Sequence, residues 1–384
     1  MASRVRIGLL GLGQRGLQHL RALWQIEAAE VVALCDPFPE NLEEAKLQQF
    51  VPGFSLGRIA RSTRFADLMA VAGLDAVYFS IPPNRHDGEV IAAARAGLHI
   101  FAEKPVSLYL DEARAMDAAI REAGVISTVG FQMRHDGWHE AARRFLADKR
   151  LVMATSVGAG ALESHSVKHT RTEELGGPRN RVWAASAAWS GTTVVEAGIH
   201  RLDLMRYWAG DVAWVRADYV HRHADDVVDG WDNPCAYSVT FGFECGMLLN
   251  LLLTRLRRTY FGDGYEDVAW DHGHLKMEAD GPAAYYYEGP YPPEKPPGRD
   301  LLRHLLPAGE RGDSTQAINQ AFVDAVAKGD PVGLRNSFAS SMNSHAAVLG
   351  ANLSDRLGGR KVDVQALLVA DEFAPYRRKP HRPA

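Results

Sequence analysis

The amino-acid sequence predicts an α/β domain with a parallel sheet, followed by an α+β domain with a large open, mostly antiparallel sheet. From residue 5 to about residue 130, short apolar runs alternate with amphipathic stretches, as in parallel strands joined by crossover helices. Beyond residue 130 the apolar runs are longer, and several alternate polar with apolar residues, as in antiparallel strands. A chain of 384 residues is long enough for two domains, and we expect them to span residues 1–130 and 131–384.

The first predicted strand leads into a glycine loop and then into a helix. The loop reads GLGQRG over residues 11–16 and follows the apolar run Val5 to Leu10. Gly11 permits a tight turn, Gly13 lets the backbone approach a pyrophosphate, and Gly16 allows the helix to pack closely on the strand. Such loops also turn chains that hold no ligand, so the motif alone is weak evidence for a Rossmann dinucleotide site.

An aspartate follows the second predicted strand at the distance expected for a ribose-binding carboxylate. The strand Val31 to Leu34 ends just before it, and Asp36 lies 20 residues after Gly16. A carboxylate there accepts hydrogen bonds from both ribose hydroxyls and repels a 2′-phosphate, so NAD is favoured over NADP. Arg15 is the one loop residue whose positive charge could bind a 2′-phosphate. The alternative interpretation of Asp36 is a solvated acid at a strand end.

Two later strand ends carry polar side chains toward the same edge of the sheet. Residues 80–86, SIPPNRH, follow one predicted strand, and Glu103, Lys104 and Pro105 follow the next. Ligands of parallel sheets bind at the carboxyl ends of the strands, so both segments should border the crevice at the glycine loop. The residues expected to contact the cofactor are Gly11, Gly13, Gln14, Arg15, Gly16, Asp36, Ser80, Pro82, Asn84, His86, Glu103, Lys104 and Gln132.

The second half of the chain contains longer strand-like runs and two helical runs. The strand-like runs are Val152 to Val157, Val215 to His221, Tyr237 to Phe243, Gly246 to Leu253 and His274 to Ala279, and the helical runs are Thr315 to Ala327 and Asn336 to Leu357. Residues 285–299, rich in proline and tyrosine, are interpreted as a long irregular excursion. The run from Met247 to Leu253 is apolar on both faces, which predicts a homodimer or homotetramer formed through this sheet.

Composition and charge argue against several classes of partner. A formal net charge of −4 gives no general attraction to nucleic acid or to an anionic membrane, and the basic tail at residues 377–382 is interpreted as a solvated end. No basic segment followed by an apolar run of the signal-peptide type precedes Val5, so we expect no secretory signal, and no apolar run is long enough to span a bilayer. The three cysteines fit neither a disulfide framework nor paired zinc ligands, which indicates a reducing compartment, the cytoplasm.

Several histidine pairs have spacings that metal sites use. His135 and His139 are the clearest example, but none of the pairs comes with a completed ligand set. We therefore expect surface positions for such pairs and no metal.

The segment between the two predicted sheets carries polar residues at helical spacing. Glu196, His200 and Asp203 fall at i, i+4 and i+7, on one stripe of a helix. A polar stripe flanked by apolar residues is typical of a cleft wall. The alternative is a solvated helix face with a satisfied histidine.

Together these motifs resemble the glucose–fructose oxidoreductase, inositol dehydrogenase and rhizopine catabolism (Gfo/Idh/MocA) family over nearly the whole chain. The shared features are the glycine loop, Asp36, residues 81–86, Glu-Lys-Pro at 103–105, and Gly191 with the later His200 and Asp203. The resemblance implies that Lys104 contacts nicotinamide ribose and substrate hydroxyls, that the Lys104–Pro105 bond is cis, and that His200 is the general base or acid. An aspartate usually lies four residues before that histidine, whereas this chain has Glu196.

The chemistry of these residue types supports the same roles. Removing hydride from a secondary alcohol needs a base for the hydroxyl proton, which His200 can supply, while Lys104 could hold the alkoxide and Glu196 could orient hydroxyls. Further candidates for substrate contact, each equally compatible with a structural role, are Arg134, Arg181 and Trp183, with Gln132 beside them on the cleft floor.

These roles predict an NAD-dependent oxidoreductase that oxidises a secondary hydroxyl of a sugar, glycoside or cyclitol. One alternative is a redox-neutral glycosidase or lyase that acts through transient oxidation and elimination. A non-enzymatic nucleotide-sensing regulator is a third class, against which the presence of Lys104 and His200 argues.

Overall fold

The computed structural model describes residues 4–161, 183–227, 230–257, 259 and 261–379. Its first sheet is entirely parallel, with strand order β3-β2-β1-β4-β5-β6 among the described residues. The strands are β1 (Val5–Leu10), β2 (Ala29–Cys35), β3 (Ala60–Ser62), β4 (Ala76–Phe79), β5 (His99–Ala102) and β6 (Ser127–Val129). The predicted Rossmann sheet is confirmed, including the reversal of strand order beside β1 at which such sheets bind ligands.

Helices connect these strands as the alternating sequence pattern predicts. They are α1 (Gln14–Trp24), α2 (Glu44–Gln48), α3 (Phe65–Met69), α4 (Glu89–Arg95) and α5 (Leu110–Ala123). Helix α1 is the amphipathic element that directly follows the glycine loop, and it buries Leu17, Leu20 and Leu23. Its N-terminus therefore faces the carboxyl edge of the sheet, where Asp36 and Glu103 also emerge.

The second sheet is open and mixed, with strand order β14-β13-β12-β11-β7-β10-β9-β8-β15 in the described part of the chain. Its strands are β7 (Leu151–Ala161), β8 (Val212–Val220), β9 (Ala236–Phe243), β10 (Leu248–Leu256), β11 (Asp263–Trp270), β12 (Gly273–Glu278), β13 (Gly281–Tyr286), β14 (Arg303–Leu305) and β15 (Val362–Asp363). Strands β7 and β10 pair in parallel, whereas the other described pairings are antiparallel. The mostly antiparallel sheet is thus confirmed, although the sequence reading missed β11, β13, β14 and β15.

The remaining described helices are α6 (Gly137–Leu146), α7 (Ala187–Ser190), α8 (Ile199–Ala209), α9 (Ser314–Lys328), α10 (Phe338–Arg356), α11 (Val364–Val369) and α12 (Ala374–Arg377). Helix α9 comes late in the chain yet packs on the first sheet. Phe322 of α9 meets Tyr78 and Phe101 edge to face at 5.5 Å between ring centroids, and those two rings stack at 4.4 Å. The core of the first sheet is therefore completed by a helix from the second half of the sequence.

Strand β10 has one buried apolar face and one exposed apolar face. Leu249, Leu251 and Leu253 are buried, whereas Leu252 on the opposite face is 41% exposed. Leu252 pairs with Val157 of β7, which in turn pairs with Tyr265 of β11, so these residues lie in one row. Leu252 and Tyr265 on this outer face are therefore exposed among the residues that the structure describes.

The C-terminal tail is not a solvated end over its described part, which corrects the sequence interpretation. Arg377 is 5% exposed and forms an ion pair with Asp111 at 3.2 Å. Lys379 donates hydrogen bonds to the His86 carbonyl at 2.6 Å and to Glu112 at 3.0 Å. The acidic first turn of α5 anchors this tail, a contact that sequence proximity does not reveal.

Candidate active site

A cavity of about 800 Å³ lies at the carboxyl edge of the parallel sheet. This volume is toward the upper end of the range for small-molecule sites. The predicted residues that line it are Gly11, Gly13, Gln14, Arg15, Asp36, Ser80, Pro82, Glu103, Lys104, Gln132, Trp183, Glu196 and His200. Residues that are far apart in sequence are thus brought to one cleft between the first sheet and α8.

The glycine loop has the geometry of a dinucleotide-binding turn. Gly11 has a φ of +91°, and a Cβ there would lie 2.3 Å from the Ser80 carbonyl oxygen. A Cβ on Gly16 would lie 1.9 Å from the Gly11 carbonyl oxygen, so α1 can approach the loop only if this position is glycine. Gly13 caps α1 without a side-chain hydrogen bond, which leaves backbone N–H groups at the helix N-terminus available to an anion.

Asp36 is 4% exposed and connects the glycine loop to the turn after β2. Its carboxylate accepts hydrogen bonds from the Leu12 N–H at 2.7 Å, the Phe38 N–H at 3.0 Å and the Asn41 side chain at 2.8 Å. Burial raises the pKa of the Asp36 carboxyl, and these hydrogen bonds offset the shift only in part. Since a carboxylate offers about four lone pairs, capacity remains for a ribose hydroxyl.

Glu103 is held as a buried anion beneath the cavity. Arg15 Nε donates to its Oε1 at 2.6 Å, and His19 Nε2 lies 2.8 Å from the same oxygen. Burial raises the pKa of Glu103, but the charge of Arg15 and the hydrogen bond with His19 more than offset it, so the pKa is lowered. The Arg15 guanidinium is therefore bound to Glu103. Asp36 remains the acidic side chain at the end of the cavity where the ribose would bind.

Lys104 and Glu196 form the polar centre of the cleft. Lys104 Nζ donates to the Glu196 backbone carbonyl at 2.7 Å and to Glu196 Oε1 at 3.0 Å. The Lys104–Pro105 peptide bond is cis, as expected from the resemblance. Glu196 lies in a π-helical turn, Val194–Gly198, directly before α8. Turns of this kind are frequent at functional sites.

His200 lines the cavity one helical turn beyond Glu196. Its Nδ1 is buried and has no hydrogen-bond partner in the described part of the chain. Burial and the positive charge of Lys104 lower the pKa of His200 to about 3. The imidazole is therefore neutral over the physiological pH range, and one of its nitrogens can accept a proton.

Several predicted residues are not brought to the cavity lining. Gly16 packs behind the loop, and His86 is 2% exposed and hydrogen-bonded to Glu89. Asn84 lies in the same segment, outside the described lining. Arg181 lies outside the described residues, so the structure says nothing of it.

Arg134 and Asp203 form a buried ion pair instead of a part of the cleft wall. Two guanidinium nitrogens of Arg134 donate to the two carboxylate oxygens of Asp203, each at 2.7 Å. Ser344 Oγ donates to Asp203 as well, at 2.8 Å. The expected polar stripe thus divides, since Glu196 and His200 line the cavity while Asp203 binds Arg134.

The expectation of a surface position is wrong for His139. This side chain is 3% exposed, and its Nδ1 lies 3.0 Å from the Met133 carbonyl oxygen. Among the residues that the structure describes, no group of three or more potential metal ligands clusters together.

Further residues that line the cavity were not singled out as cofactor or substrate contacts, although Ile81 and Arg85 belong to the segment 80–86 that was expected to border the crevice. These further residues are Leu10, Gln18, Cys35, Pro37, Phe38, Asn41, Thr63, Phe65, Ile81, Arg85, Asp87, Glu89 and Ala184. Asn41 carried a usable signal, because an amide five residues after a ribose carboxylate can hold it in place. Thr63 and Phe65 could not be found in this way, because the strand β3 that positions them has only three residues and shows no clear apolar alternation.

The residues present fit a bound dinucleotide. The α1 N-terminus with its glycine loop suits a pyrophosphate, and Asp36 beside it suits a ribose diol. Ser80 Oγ is buried beside the loop without a hydrogen-bond partner among the described residues, so a ligand could satisfy it. The cleft then extends to Lys104, Glu196 and His200, where the nicotinamide end would lie.

A model of the oxidoreductase family with an NAD-binding Rossmann fold matches residues 5–131. Over these residues the chain matches the Gfo/Idh/MocA family, which its motifs also resemble. The family description agrees with the NAD cofactor expected from Asp36.

Curated relatives match part of the chain. A scyllo-inositol 2-dehydrogenase (NAD(+)) of Bacillus subtilis is 29% identical over 211 residues, which are 55% of this chain and 55% of that protein. A myo-inositol 2-dehydrogenase of Thermotoga maritima is 30% identical over 207 residues, 54% of this chain and 55% of that protein. The chain therefore spans about half the length of the curated relatives it matches.

Solved structures extend the similarity of fold to almost the entire chain. A levoglucosan dehydrogenase in complex with NADH and L-sorbose superposes with a TM-score of 0.73 at 19% identity, covering 94% of this chain and 99% of that one. At this level of identity the comparison shows the fold. Among the helices of the described residues, none has the length and apolar character needed to cross a bilayer.

Proposed function

We propose that this protein is an NAD-dependent dehydrogenase that oxidises a secondary hydroxyl of a sugar, glycoside or cyclitol. The observation that carries the proposal is the placement of Lys104, Glu196 and an unpartnered His200 nitrogen at one end of a cleft that begins at a dinucleotide-binding loop. The inositol dehydrogenases among its relatives support a polyhydroxylated substrate.

In the proposed reaction each side chain has a separate task. His200, neutral because its pKa is lowered, accepts the hydroxyl proton. Lys104 donates hydrogen bonds to the developing alkoxide, and Glu196 holds the ammonium group in position and accepts from a neighbouring hydroxyl. NAD⁺ supplies the hydride acceptor when bound. The carbinol carbon thereby becomes a carbonyl, and the proton leaves through His200.

A substrate screen tests this function. Purified protein is incubated with NAD⁺ and inositols, aldoses or glycosides, while NADH absorbance and product composition are followed together. We expect one NADH for each carbonyl product formed. Cleaved glycoside without net NADH would instead establish the redox-neutral glycosidase or lyase chemistry, and binding of NAD⁺ without turnover of any substrate would favour a regulator.

We further propose that the exposed face of the second sheet is covered by a second copy of the chain in a cytoplasmic homodimer or homotetramer. The row of Leu252, Val157 and Tyr265 continues an apolar surface whose large side chains Leu252 and Tyr265 are 41% and 50% exposed. The three cysteines, all free thiols, agree with a reducing compartment.

The oligomer is tested by light scattering at micromolar concentration. The wild-type protein should be a dimer or tetramer, and Leu252→Asp should lower the mass because it places a charge in the apolar row. Val332→Asp, at an 86% exposed position away from this sheet, is the matched control and should leave the mass unchanged. A monomeric wild-type protein would refute the proposal.

A further inference from the structure

A second, much smaller cavity also borders Lys104. Its volume is about 10 Å³, which leaves room for roughly one water molecule and for nothing larger. Lys104 lines both this small cavity and the large cleft, and no other residue of the described chain does so. The remaining wall is apolar except for Ser341 and His345. Whatever fills the small cavity therefore packs directly against the lysine of the polar centre.

Helix α10 presents one face to the small cavity. The four residues of this face, spaced i, i+3, i+4 and i+7, are Phe338, Ser341, Met342 and His345. The Phe338 N–H donates to Ser127 Oγ at 3.3 Å, which ties the start of this face to β6 of the parallel sheet. The helix thus fixes a histidine in a wall of the cavity that Lys104 also lines.

His345 has nothing in the chain to bond with. It is 2% exposed, and neither of its ring nitrogens has a hydrogen-bond partner among the described residues. Burial lowers the pKa of His345 to about 4, so the ring is neutral, with one N–H donor and one acceptor nitrogen. Because a buried polar group without a partner is unfavourable, a water molecule in the small cavity would satisfy a ring that the protein itself does not.

Other polar groups at the same wall suit a bound water. Ser341 Oγ donates to the Ser337 carbonyl oxygen at 2.7 Å, so the hydroxyl keeps lone pairs that can accept a hydrogen bond. Beside it, the Asn336 side chain donates to the carbonyl oxygen of Val129 at 2.9 Å, while Asn336 Oδ1 is buried without a partner in the described structure. The cavity therefore meets both conditions for a buried water, which are sufficient room and polar partners.

We propose that the small cavity binds one water molecule through His345, and that this water fixes the position of Lys104 during hydride transfer. The inference rests on the proposed dehydrogenase function and adds His345 to it as a positioning residue. Glu196 holds the tip of the lysine, since Lys104 Nζ donates to its carbonyl at 2.7 Å and to its Oε1 at 3.0 Å. The water supports the lysine from the side of the small cavity. Small displacements of a group that binds the reacting atoms reduce turnover strongly.

A crystal structure that resolves ordered waters tests the binding site. The wild-type protein should hold one water within hydrogen-bond distance of a His345 ring nitrogen. His345→Leu should lose this water, because leucine offers neither a donor nor an acceptor. An unoccupied small cavity in the wild-type protein, or a water that persists in His345→Leu, would overturn the assignment.

Stopped-flow hydride transfer on a responsive substrate tests the positioning role. His345→Leu should lower the rate roughly 3- to 10-fold, the value of one hydrogen bond, while NAD⁺ affinity and KM stay within about twofold of wild type. His345→Gln keeps a donor and an acceptor and should retain the wild-type rate. His135→Leu is the matched control and should also behave as the wild type, because His135 has a buried ring nitrogen without a described partner but lines neither cavity.

A double-mutant cycle shows whether the effect passes through Lys104. In Lys104→Ala, adding His345→Leu should lower the rate no further, since the side chain that the water supports is gone. Losses that multiply would indicate a general structural effect and overturn the positioning role. If His345→Leu is unstable, Ser341→Ala replaces it in the cycle and should lower the wild-type rate by about twofold to threefold.

The water site and the proposed function can fail separately. A dehydrogenase whose hydride-transfer rate is unchanged in His345→Leu would overturn the positioning role and leave the function intact. A water bound to His345 in a protein that oxidises no substrate would support the site and contradict the proposed function.

Discussion

Single side chains in the cleft have partners that fix both their position and their charge. Asp36 is the clearest example, because three hydrogen bonds from the protein already hold its carboxylate. Its role in cofactor choice therefore cannot be separated from its role in shaping the glycine loop by one substitution. Two substitutions can separate them.

Replacing Asp36 should alter cofactor binding in two distinguishable ways. Asp36→Ala should weaken NAD⁺ binding by roughly 10-fold or more, because a ribose acceptor and a loop support are both lost. Asp36→Asn removes the charge and keeps one oxygen acceptor, although its NH₂ then faces one of the donors that hold the carboxylate, so NADP⁺ binding should improve relative to NAD⁺ and the loss of NAD⁺ affinity should be smaller than in Asp36→Ala. Fluorescence titration with both cofactors measures this, and unchanged affinities in both variants would contradict the assignment.

Sequence reasoning located the residues whose position at the cleft follows from a strand end or a turn, and it failed where the direction of a side chain decides that position. Gly11, Asp36 and Lys104 follow strands directly, so the fold alone brings them to the cleft. Arg134 also follows a strand, but the side chain turns toward Asp203, 69 residues later in the chain. Only the packing of α8 reveals this direction.

At the scale of elements, the π-helical turn before α8 changes how the polar stripe is presented. A uniform helix would place Glu196, His200 and Asp203 on one side, as the spacing predicted. The structure instead places five residues in a π turn, and Asp203 is 1% exposed beside Arg134. Periodicity in a sequence cannot reveal a local change of helix type. The prediction that these three polar residues lie close together along the helix was correct, but the prediction that all three face the cleft was wrong for Asp203.

The Arg134–Asp203 pair should stabilise the fold and have little effect on substrate. Arg134→Ala leaves a buried carboxylate with weakened compensation, so the free energy of unfolding should fall by about 3 kcal/mol. The double variant Arg134→Met, Asp203→Leu removes both charges and should recover at least half of that loss. Urea unfolding measures the change, and KM for a responsive substrate should stay within about threefold of wild type for the folded Arg134→Ala protein. A large KM effect without loss of stability would restore the substrate role predicted from the sequence.

At the scale of the whole molecule, the two sheets are joined by contacts that the sequence order conceals. Helix α9 completes the core of the first sheet through Phe322, and the tail binds the first turn of α5 through Arg377 and Lys379. Most of the strand and helix order was predictable from periodicity, but the strands β3, β11, β13, β14 and β15 were not. These long-range contacts could not be predicted, because the local pattern of a strand or helix does not specify which distant element packs on its apolar face.

Buried histidines should make the stability of the molecule depend on pH. Burial is the main cause that lowers the pKa of His135 and of His345 to about 4, and that of His200 to about 3. In the unfolded chain these groups titrate near 6.5, so between about pH 6.5 and pH 4 the unfolded state binds protons that the folded state does not. The free energy of unfolding should therefore fall on acidification, by up to about 1.4 kcal/mol per pH unit for each histidine.

Urea unfolding at pH 8, 7, 6 and 5 checks this expectation. Both ring nitrogens of His345 lack a hydrogen-bond partner among the described residues, so His345→Asn should reduce the slope below pH 6.5. His221→Asn, at a side chain that is 65% exposed, should not. A stability independent of pH between 7 and 5 would contradict the neutral, buried state of these residues.

The central claim is that, in the NAD⁺ complex, His200 takes the hydroxyl proton while Lys104 holds the alkoxide. Its most direct test is a stopped-flow measurement of the hydride-transfer rate of His200→Ala on a responsive substrate. The rate should fall by roughly 10²- to 10⁴-fold, as for a lost general base, while NAD⁺ affinity stays near that of the wild type and His221→Ala behaves normally. Adding Lys104→Ala should cost less than the product of the two single losses, because the residues act as a unit. Hydride transfer at the wild-type rate in His200→Ala would contradict the proposed mechanism.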